Sequence, residues 1–263
     1  MTSLQPIKLF WRNQVPNPSK VLIILEELNL PYESSWVELE NLKTKPFTDV
    51  NPNGRVPAII DPNTGLTLWE SGAIVQYLID TYDKDRKISY ATFPEQYQLI
   101  QWSYFQASGQ GPYFGQSAWY VEVCPAMSTL SSAPTDSLPL LYSSLTRLLV
   151  LIDRFNLFHE KIYGESPESA KVRYGAEVKR VAGVLDSVLK ERDWLVGDKC
   201  TYADLAFVMW NTQIAFFMAS REGDQAWRPE EFPHFTRWHE AMLARESVKK
   251  VIGVLMDKEV KSP

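Results

Sequence analysis

Arg55-Val56-Pro57-Ala58-Ile59-Ile60-Asp61, followed by Pro62-Asn63-Thr64-Gly65 and Leu66–Trp69, confines the fold of this chain more than any other stretch. Ala58–Ile60 and Leu66–Trp69 are brief apolar runs joined by the turn residues Asp61 to Gly65, a β-hairpin signal. A proline cannot donate to a sheet ladder, so Pro57 belongs at a strand entrance. An X-Pro bond in such a place is often cis, and a cis bond here would turn the Val56 N–H and C=O outward. An outward pair of that kind can take an extended peptide as if adding a strand. The flanking residues complete a pattern. Ile7–Trp11 reads as a strand, and Val21, Leu22, Ile24, Leu25 and Leu28 recur at helical spacing until Pro31 stops the helix just past Asn29. Glu33–Val37 suits a second strand, and a short helical turn follows near Phe47. Ser71 is placed to cap a helix whose Ile74, Val75, Leu78 and Ile79 face one way, and Ser19 to cap the first helix. The order β-α-β-α-β-β-α predicts a small mixed sheet covered by helices.

Beyond the charged linker Asp83-Lys-Asp-Arg-Lys87 the strand signal disappears. Residues 95–122, 168–192, 202–218 and 233–257 carry helical periodicity, with Asp204 as a capping residue and a break expected at Gly109-Gln-Gly-Pro112. A Ser/Pro-rich loop at 128–139 precedes an extra apolar-periodic helix carrying Leu141, Leu145, Leu148, Ile152 and Phe155. The expected fold is therefore α/β over residues 1–84 and all-α over 92–263, with an insertion at 126–166. The length, 263 residues, and the 45% hydrophobic content allow a substantial core. A formal net charge of −5 without long basic runs argues against a nucleic-acid partner. No stretch reaches the ~20 uninterrupted apolar residues of a membrane helix, and the N-terminal residues carry no apolar signal core. The expectation is a cytoplasmic protein. Cys124 and Cys200 make no disulfide framework, and His159, His234 and His239 show no ligand spacing, so no metal is expected.

Glu70-Ser71 stands where the last helix of the α/β region begins. A serine hydroxyl, helix N–H groups and the helix dipole hold a carboxylate, while the Glu70 carboxylate suits an ammonium. Together they fit the α-amino and α-carboxylate groups of an amino acid, with a peptide backbone alongside at Val56. The loop Asn13-Gln14-Val15-Pro16-Asn17 also feeds a helix start, yet it holds no strong acid or nucleophile.

Asn53-Gly-Arg-Val-Pro-Ala-Ile-Ile-Asp61 and Trp69-Glu-Ser-Gly-Ala-Ile74 resemble the glutathione-binding motifs of glutathione transferases. Phe105–Gln116 and Trp194–Asn211 resemble the helical domain of that family. The wording is most similar to the fungal branch related to the yeast nitrogen-regulator prion protein and to bacterial nu-class enzymes, and the resemblance spans nearly all of the chain outside 126–166. It implies a thioredoxin-like N-terminal domain and a helical C-terminal domain. It also implies that Glu70 and Ser71 hold the γ-glutamyl end of glutathione and that Val56 pairs with its cysteinyl backbone before cis-Pro57. Lys43 would meet the glycine carboxylate, Arg55 would contact the tripeptide, and Arg173 would reach the glutathione of a neighbouring subunit in a homodimer.

The resemblance answers what the acid-poor loop could do. Glutathione brings its own thiol, so the protein has only to favour the thiolate, and one donor to a charged group is worth roughly 1.5–3 kcal/mol. The Pro16-Asn17 pair matches the family position for this, with Asn17 as the catalytic residue and Gln14 or Asn13 able to share the role. Relatives often carry Ser or Thr where this chain has Gln14 and Val15, and Gly where it has Pro18. Tyr113, Phe114 and Trp119 would line the site for a hydrophobic electrophile. The implied function is a glutathione S-transferase of detoxification or secondary metabolism. Alternatives are a glutathione-dependent disulfide or peroxide reductase and a non-catalytic glutathione-binding regulator. The regulator carries an Asn/Gln-rich N-terminal extension. This chain begins within a few residues of its first strand, which counts against that alternative.

Overall fold

The computed structural model describes residues 4–12, 16–120, 168–218 and 221–256. In β1 (Ile7–Trp11) Ile7, Leu9 and Trp11 are buried, and Lys8 and Phe10 point to the opposite face. β1 runs parallel to β2 (Tyr32–Trp36) and antiparallel to β3 (Ala58–Asp61), which pairs antiparallel with β4 (Leu66–Trp69). The sheet order is β2-β1-β3-β4, the mixed sheet expected from the element order.

The helices of this region are α1 (Pro16–Glu27), the single-turn α2 (Phe47–Val50) and α3 (Ser71–Tyr82). The chain continues as α4 (Glu95–Phe105), a π turn at Gln106–Gln110 and α5 (Gly111–Trp119). Then come α6 (Glu168–Leu189), α7 (Tyr202–Asn211), the short α8 (Ile214–Phe217), α9 (Pro233–Leu243) and α10 (Glu246–Met256). Among the described residues no strand follows β4. The expected loop at 128–139, the extra helix with Leu141 to Phe155, the 126–166 insertion as a whole and Cys124 lie outside the described residues.

Two compact units are formed. One gathers Met1–Ser103, Trp194–Met209 and Met242–Pro263; the other gathers Tyr104–Asp193 and Trp210–Ala241. In the first, α1 packs on both α3 and α10. All five residues of Val21–Leu25 are buried, so α1 has no polar face over this stretch. Removing each such side chain from water contributes roughly 1.5–3 kcal/mol. On the other sheet face Val37, Phe47 and Ala58 form a smaller cluster, with Phe10, Leu42, Val50, Val56 and Trp69 packed around it. In the second unit α5 packs on α6 and α8, and the rings of Tyr120 and Tyr174 stack at 5.7 Å.

Several local expectations are corrected. α1 begins at Pro16, so Ser19 lies inside its first turn, buried, and is not the N-cap. The first-turn N–H groups have no intrahelical acceptor, so Pro16 and Pro18 forfeit nothing there. Its C-terminus follows expectation, with Asn29 in the left-handed region (φ 51°) that asparagine tolerates. The N-cap of α3 is Glu70, one residue before the expected Ser71. Within the charged linker Asp83 is a buried cap: its carboxylate accepts from Lys87 N (2.7 Å), Ile88 N (3.2 Å) and Ser89 Oγ (2.6 Å). The 233–257 periodicity divides into α9 and α10 at Ala244-Arg245, where the Arg245 guanidinium turns to Glu27. The π turn precedes Pro112, which lacks the N–H to continue the α-helical ladder.

Glu27 ties the end of α1 to residues more than two hundred positions later. Its buried carboxylate accepts from Arg245 Nε (2.7 Å), Arg245 Nη2 (2.8 Å) and Ser247 Oγ (2.5 Å). Burial works to raise its pKa, but the bonds from Arg245 and Ser247 outweigh that and bring it below the usual 4.5. A depressed carboxylate contributes stability above its unfolded pKa and loses it as pH falls through the folded value. The stability gap between wild type and Glu27→Gln, read from urea midpoints, is therefore expected to be full at neutral pH and to close below about pH 4.5. A gap independent of pH would refute this role.

Candidate functional site

One end of the sheet collects the residues that matter. The β3–β4 ladder closes at Ala58 opposite Trp69, so the next residues outward are Pro57 and Val56 on one strand and Glu70 and Ser71 on the other. Phe10 of β1 pairs with Ala58, so the C-terminal end of β1 and the start of α1 emerge at this same end.

The Val56–Pro57 peptide bond is cis, as expected from the strand entrance. Pro57 is buried and Val56 half-buried. Among the described residues no hydrogen bond is made to the Val56 N–H or C=O. The loop before them is built by Asn51. Its Oδ1 accepts from Asn53 N at 2.9 Å, its carbonyl accepts from Gly54 N at 2.9 Å, and its Nδ2 donates to the Arg55 carbonyl at 2.5 Å. Gly54 has φ +58°, and a Cβ there would sit 2.4 Å from the Leu42 carbonyl oxygen, so only glycine fits. Lys43 is exposed and donates to the Asn53 carbonyl at 2.6 Å, which fastens it over the same loop. The Arg55 side chain is exposed.

Glu70 holds φ 71° and ψ 113°, which is unusual for a non-glycine residue. Backbone strain of this sort costs about 1–3 kcal/mol and clusters at ligand clamps. The Glu70 side chain is exposed, and its carbonyl accepts from Ile74 N at 2.9 Å to open α3. Ser71 follows as the first residue of α3, buried. Asn17, half-buried, lies in the first turn of α1. Asn13, Gln14 and Val15 lie outside the described residues.

Lys20 is a site residue that the sequence pattern did not single out. It is buried, and its Nζ donates to Ser71 Oγ at 3.1 Å, joining the starts of α1 and α3. Burial pushes its amine down to about 7, against the pull of the Glu70 charge, which raises it. The signal was present: a lysine directly before five consecutive apolar residues cannot lie on a polar helix face when the helix has none.

The remaining candidates stand in the second unit. Phe114 is 0% exposed, so its ring is a packing residue of α5. Tyr113 is half-buried with the Arg180 guanidinium 5.9 Å over its ring, and Trp119 is half-buried at the end of α5. Arg173 is exposed on α6 and makes no ion pair among the described residues. Cys200 is buried and burial pushes its thiol up, away from reactivity. Among the described residues no three His, Cys, Asp or Glu side chains converge as a metal site would, and no helix is long and apolar enough to cross a membrane.

This end of the sheet thus offers a serine hydroxyl, a buried amine and a helix N-terminus for a carboxylate. It also offers a carboxylate for an ammonium and an outward backbone for a peptide. Comparison with known proteins agrees. Residues 16–81 match the family model "Glutathione S-transferase, N-terminal domain", and residues 140–246 match "Glutathione S-transferase, C-terminal domain". The chain is 40% identical to the glutathione S-transferase-like protein gedE of Aspergillus terreus, over 97% of this chain and 98% of that one. It resembles the solved glutathione transferase URE2P8 of Phanerochaete chrysosporium with oxidized glutathione (35% identity, 100% of both chains, TM-score 0.76). It also resembles Ure2p5 of the same organism, cocrystallized with 1-(S-glutathionyl)-2,4-dinitrobenzene (33% identity, 100% of both chains, TM-score 0.73).

Proposed function

The chain belongs to the glutathione S-transferase family, in its Ure2-like fungal branch, and we propose that it conjugates the thiolate of glutathione to a small hydrophobic electrophile. The observation that carries the proposal is the meeting, at one sheet end, of Val56 before cis-Pro57 with Glu70-Ser71 opening α3. In this reading Ser71 takes the γ-glutamyl carboxylate and Glu70 the ammonium. Val56 takes the cysteinyl backbone, Lys43 the glycine carboxylate, and Arg55 contacts the tripeptide. The thioredoxin-like domain is residues 1–84 and the helical domain 92–263.

No protein nucleophile is needed. Pro16 and Pro18 carry no N–H, so among the first four residues of α1 only Asn17 and Ser19 have backbone donors. That halves the usual helix N-terminal set and shifts weight to the Asn17 side-chain amide. Asn17→Ala is expected to raise the pKa of bound glutathione thiol by about 1–2 units, followed through thiolate absorbance across a pH titration. An unchanged titration would remove Asn17 from the mechanism.

Tyr113 and Trp119 are the aromatic surface proposed to receive the electrophile, and Phe114 is buried on the same helix. Phe93, Tyr97, Ile100 and Tyr104 leave an exposed apolar stripe along α4 and its entrance. This supports a homodimer, in which Arg173 would reach the partner's glutathione. A cytoplasmic place and a role in detoxification or secondary metabolism complete the proposal.

A second reading, glutathione-dependent disulfide or peroxide reduction, is favoured by the oxidized glutathione in the Phanerochaete relative. Turnover of bis-hydroxyethyl disulfide against a chloronitrobenzene separates the two, and activity on the chloronitrobenzene alone would eliminate the reductase.

A further inference from the structure

Lys20 is 4% exposed, so its amine has left water for the interior between α1 and α3. An aliphatic side chain would fill that space without the desolvation that a buried ammonium carries. The lysine donates to Ser71 Oγ at 3.1 Å. A hydroxyl that accepts from an ammonium keeps its own proton to donate elsewhere. Ser71 opens α3, so its O–H, the first N–H groups of that helix and the Lys20 charge all favour an anion at one place.

We propose that Lys20 is a positioning residue for the γ-glutamyl α-carboxylate of glutathione: it fixes the Ser71 hydroxyl as a donor and takes up a proton as the carboxylate arrives. This rests on the glutathione site proposed above and adds to it a linkage between binding and protonation.

The charges around Lys20 fit that linkage. Glu70, at the β4–α3 junction, acts on it, and its negative charge favours the ammonium. Burial acts the other way and leaves the amine near 7, partly neutral before a ligand enters. On α1 itself the acids Glu26 and Glu27 stand at the far end. Glu26 is engaged there by Lys250 of α10, and Glu27 by Arg245 just before α10. The sheet residues beneath, Ile7, Leu9, Trp11 and Ile59, are apolar. A carboxylate placed on Ser71 therefore supplies new negative charge beside Lys20 and raises its pKa.

The test uses S-methylglutathione, which has no thiol to titrate, in calorimetry at about pH 7.5 in two buffers of different ionisation enthalpy. Wild type is expected to take up roughly half a proton or more on binding, and Lys20→Met close to none. The second arm uses S-methylated 4-aminobutyryl-cysteinyl-glycine, which lacks only the α-carboxylate. Wild type is expected to prefer the carboxylate-bearing ligand by about tenfold or more, and Lys20→Met by less than about threefold, with Lys20→Arg restoring the preference. Wild type binding without proton uptake overturns the proposal, and this measurement needs no variant to fold. So does a folded Lys20→Met that keeps the full preference. If wild type itself shows no preference between the two ligands, the glutathione site assignment fails instead.

Discussion

Alanine in place of Asp204 is expected to lower the unfolding free energy by about 3–5 kcal/mol, one of the two largest effects a single substitution should have in this chain. The Asp204 carboxylate is fully buried and closes the turn that starts α7. Its Oδ1 accepts from Leu195 N at 2.8 Å, and its Oδ2 from Thr201 N at 2.9 Å and Thr201 Oγ1 at 2.7 Å. Alanine orphans two backbone N–H groups and a hydroxyl at buried positions, each worth about 1–3 kcal/mol when left unsatisfied. Asparagine keeps one acceptor oxygen and should lose less. Urea unfolding of the three proteins reads the order wild type, Asn, Ala. An alanine variant within about 1 kcal/mol of wild type would show that the turn has another source of support.

The second large effect is on binding. Ser71→Ala is expected to weaken glutathione about 10–100-fold, because a hydrogen bond to a charged group contributes about 1.5–3 kcal/mol. The substitution also removes the Lys20 acceptor at 3.1 Å, so the site loses its hydroxyl donor while the buried amine loses that partner. Titration of wild type and variant with glutathione measures this directly. Normal affinity in the variant would mean that the carboxylate is held elsewhere.

Much of the first region could be read before folding, for a physical reason. Its strands β1, β3 and β4 are short apolar runs bounded by turn residues, and Ile7–Trp11 and the Asp61–Gly65 turn report that directly. Pro57 announced its cis bond through its position. Caps were harder, because they depend on one residue's dihedral angles. Ser71 looked like the N-cap, yet Glu70 takes the strained φ of 71° and displaces it by one. Ser19 misled for a related reason: the two prolines let α1 start earlier than a serine cap would place it. Charged residues were the hardest to place. Asp83 was read only as part of a charged linker and Lys20 was not singled out, because their partners, Ser89 and Ser71, are supplied by the folded chain. Phe114 was expected at the electrophile site with Tyr113 and Trp119, and its full burial in α5 is not legible from an aromatic series, which cannot separate a wall from a core.

The sheet unit is not continuous along the chain. It is assembled from Met1–Ser103, Trp194–Met209 and Met242–Pro263, and Glu27 is clamped by Arg245 across 218 positions. Synthesis runs from the N-terminus, so the first hundred residues leave the ribosome long before the helix that completes them. Until α10 arrives, α1 lacks one of the helices it packs on and Glu27 lacks the guanidinium that compensates its burial. Such a topology has high contact order, so closure of the unit must wait for the whole polypeptide. A nascent chain stopped short of residue 245 should therefore be protease-sensitive even though every residue of the glutathione site proposed in this unit has already been made.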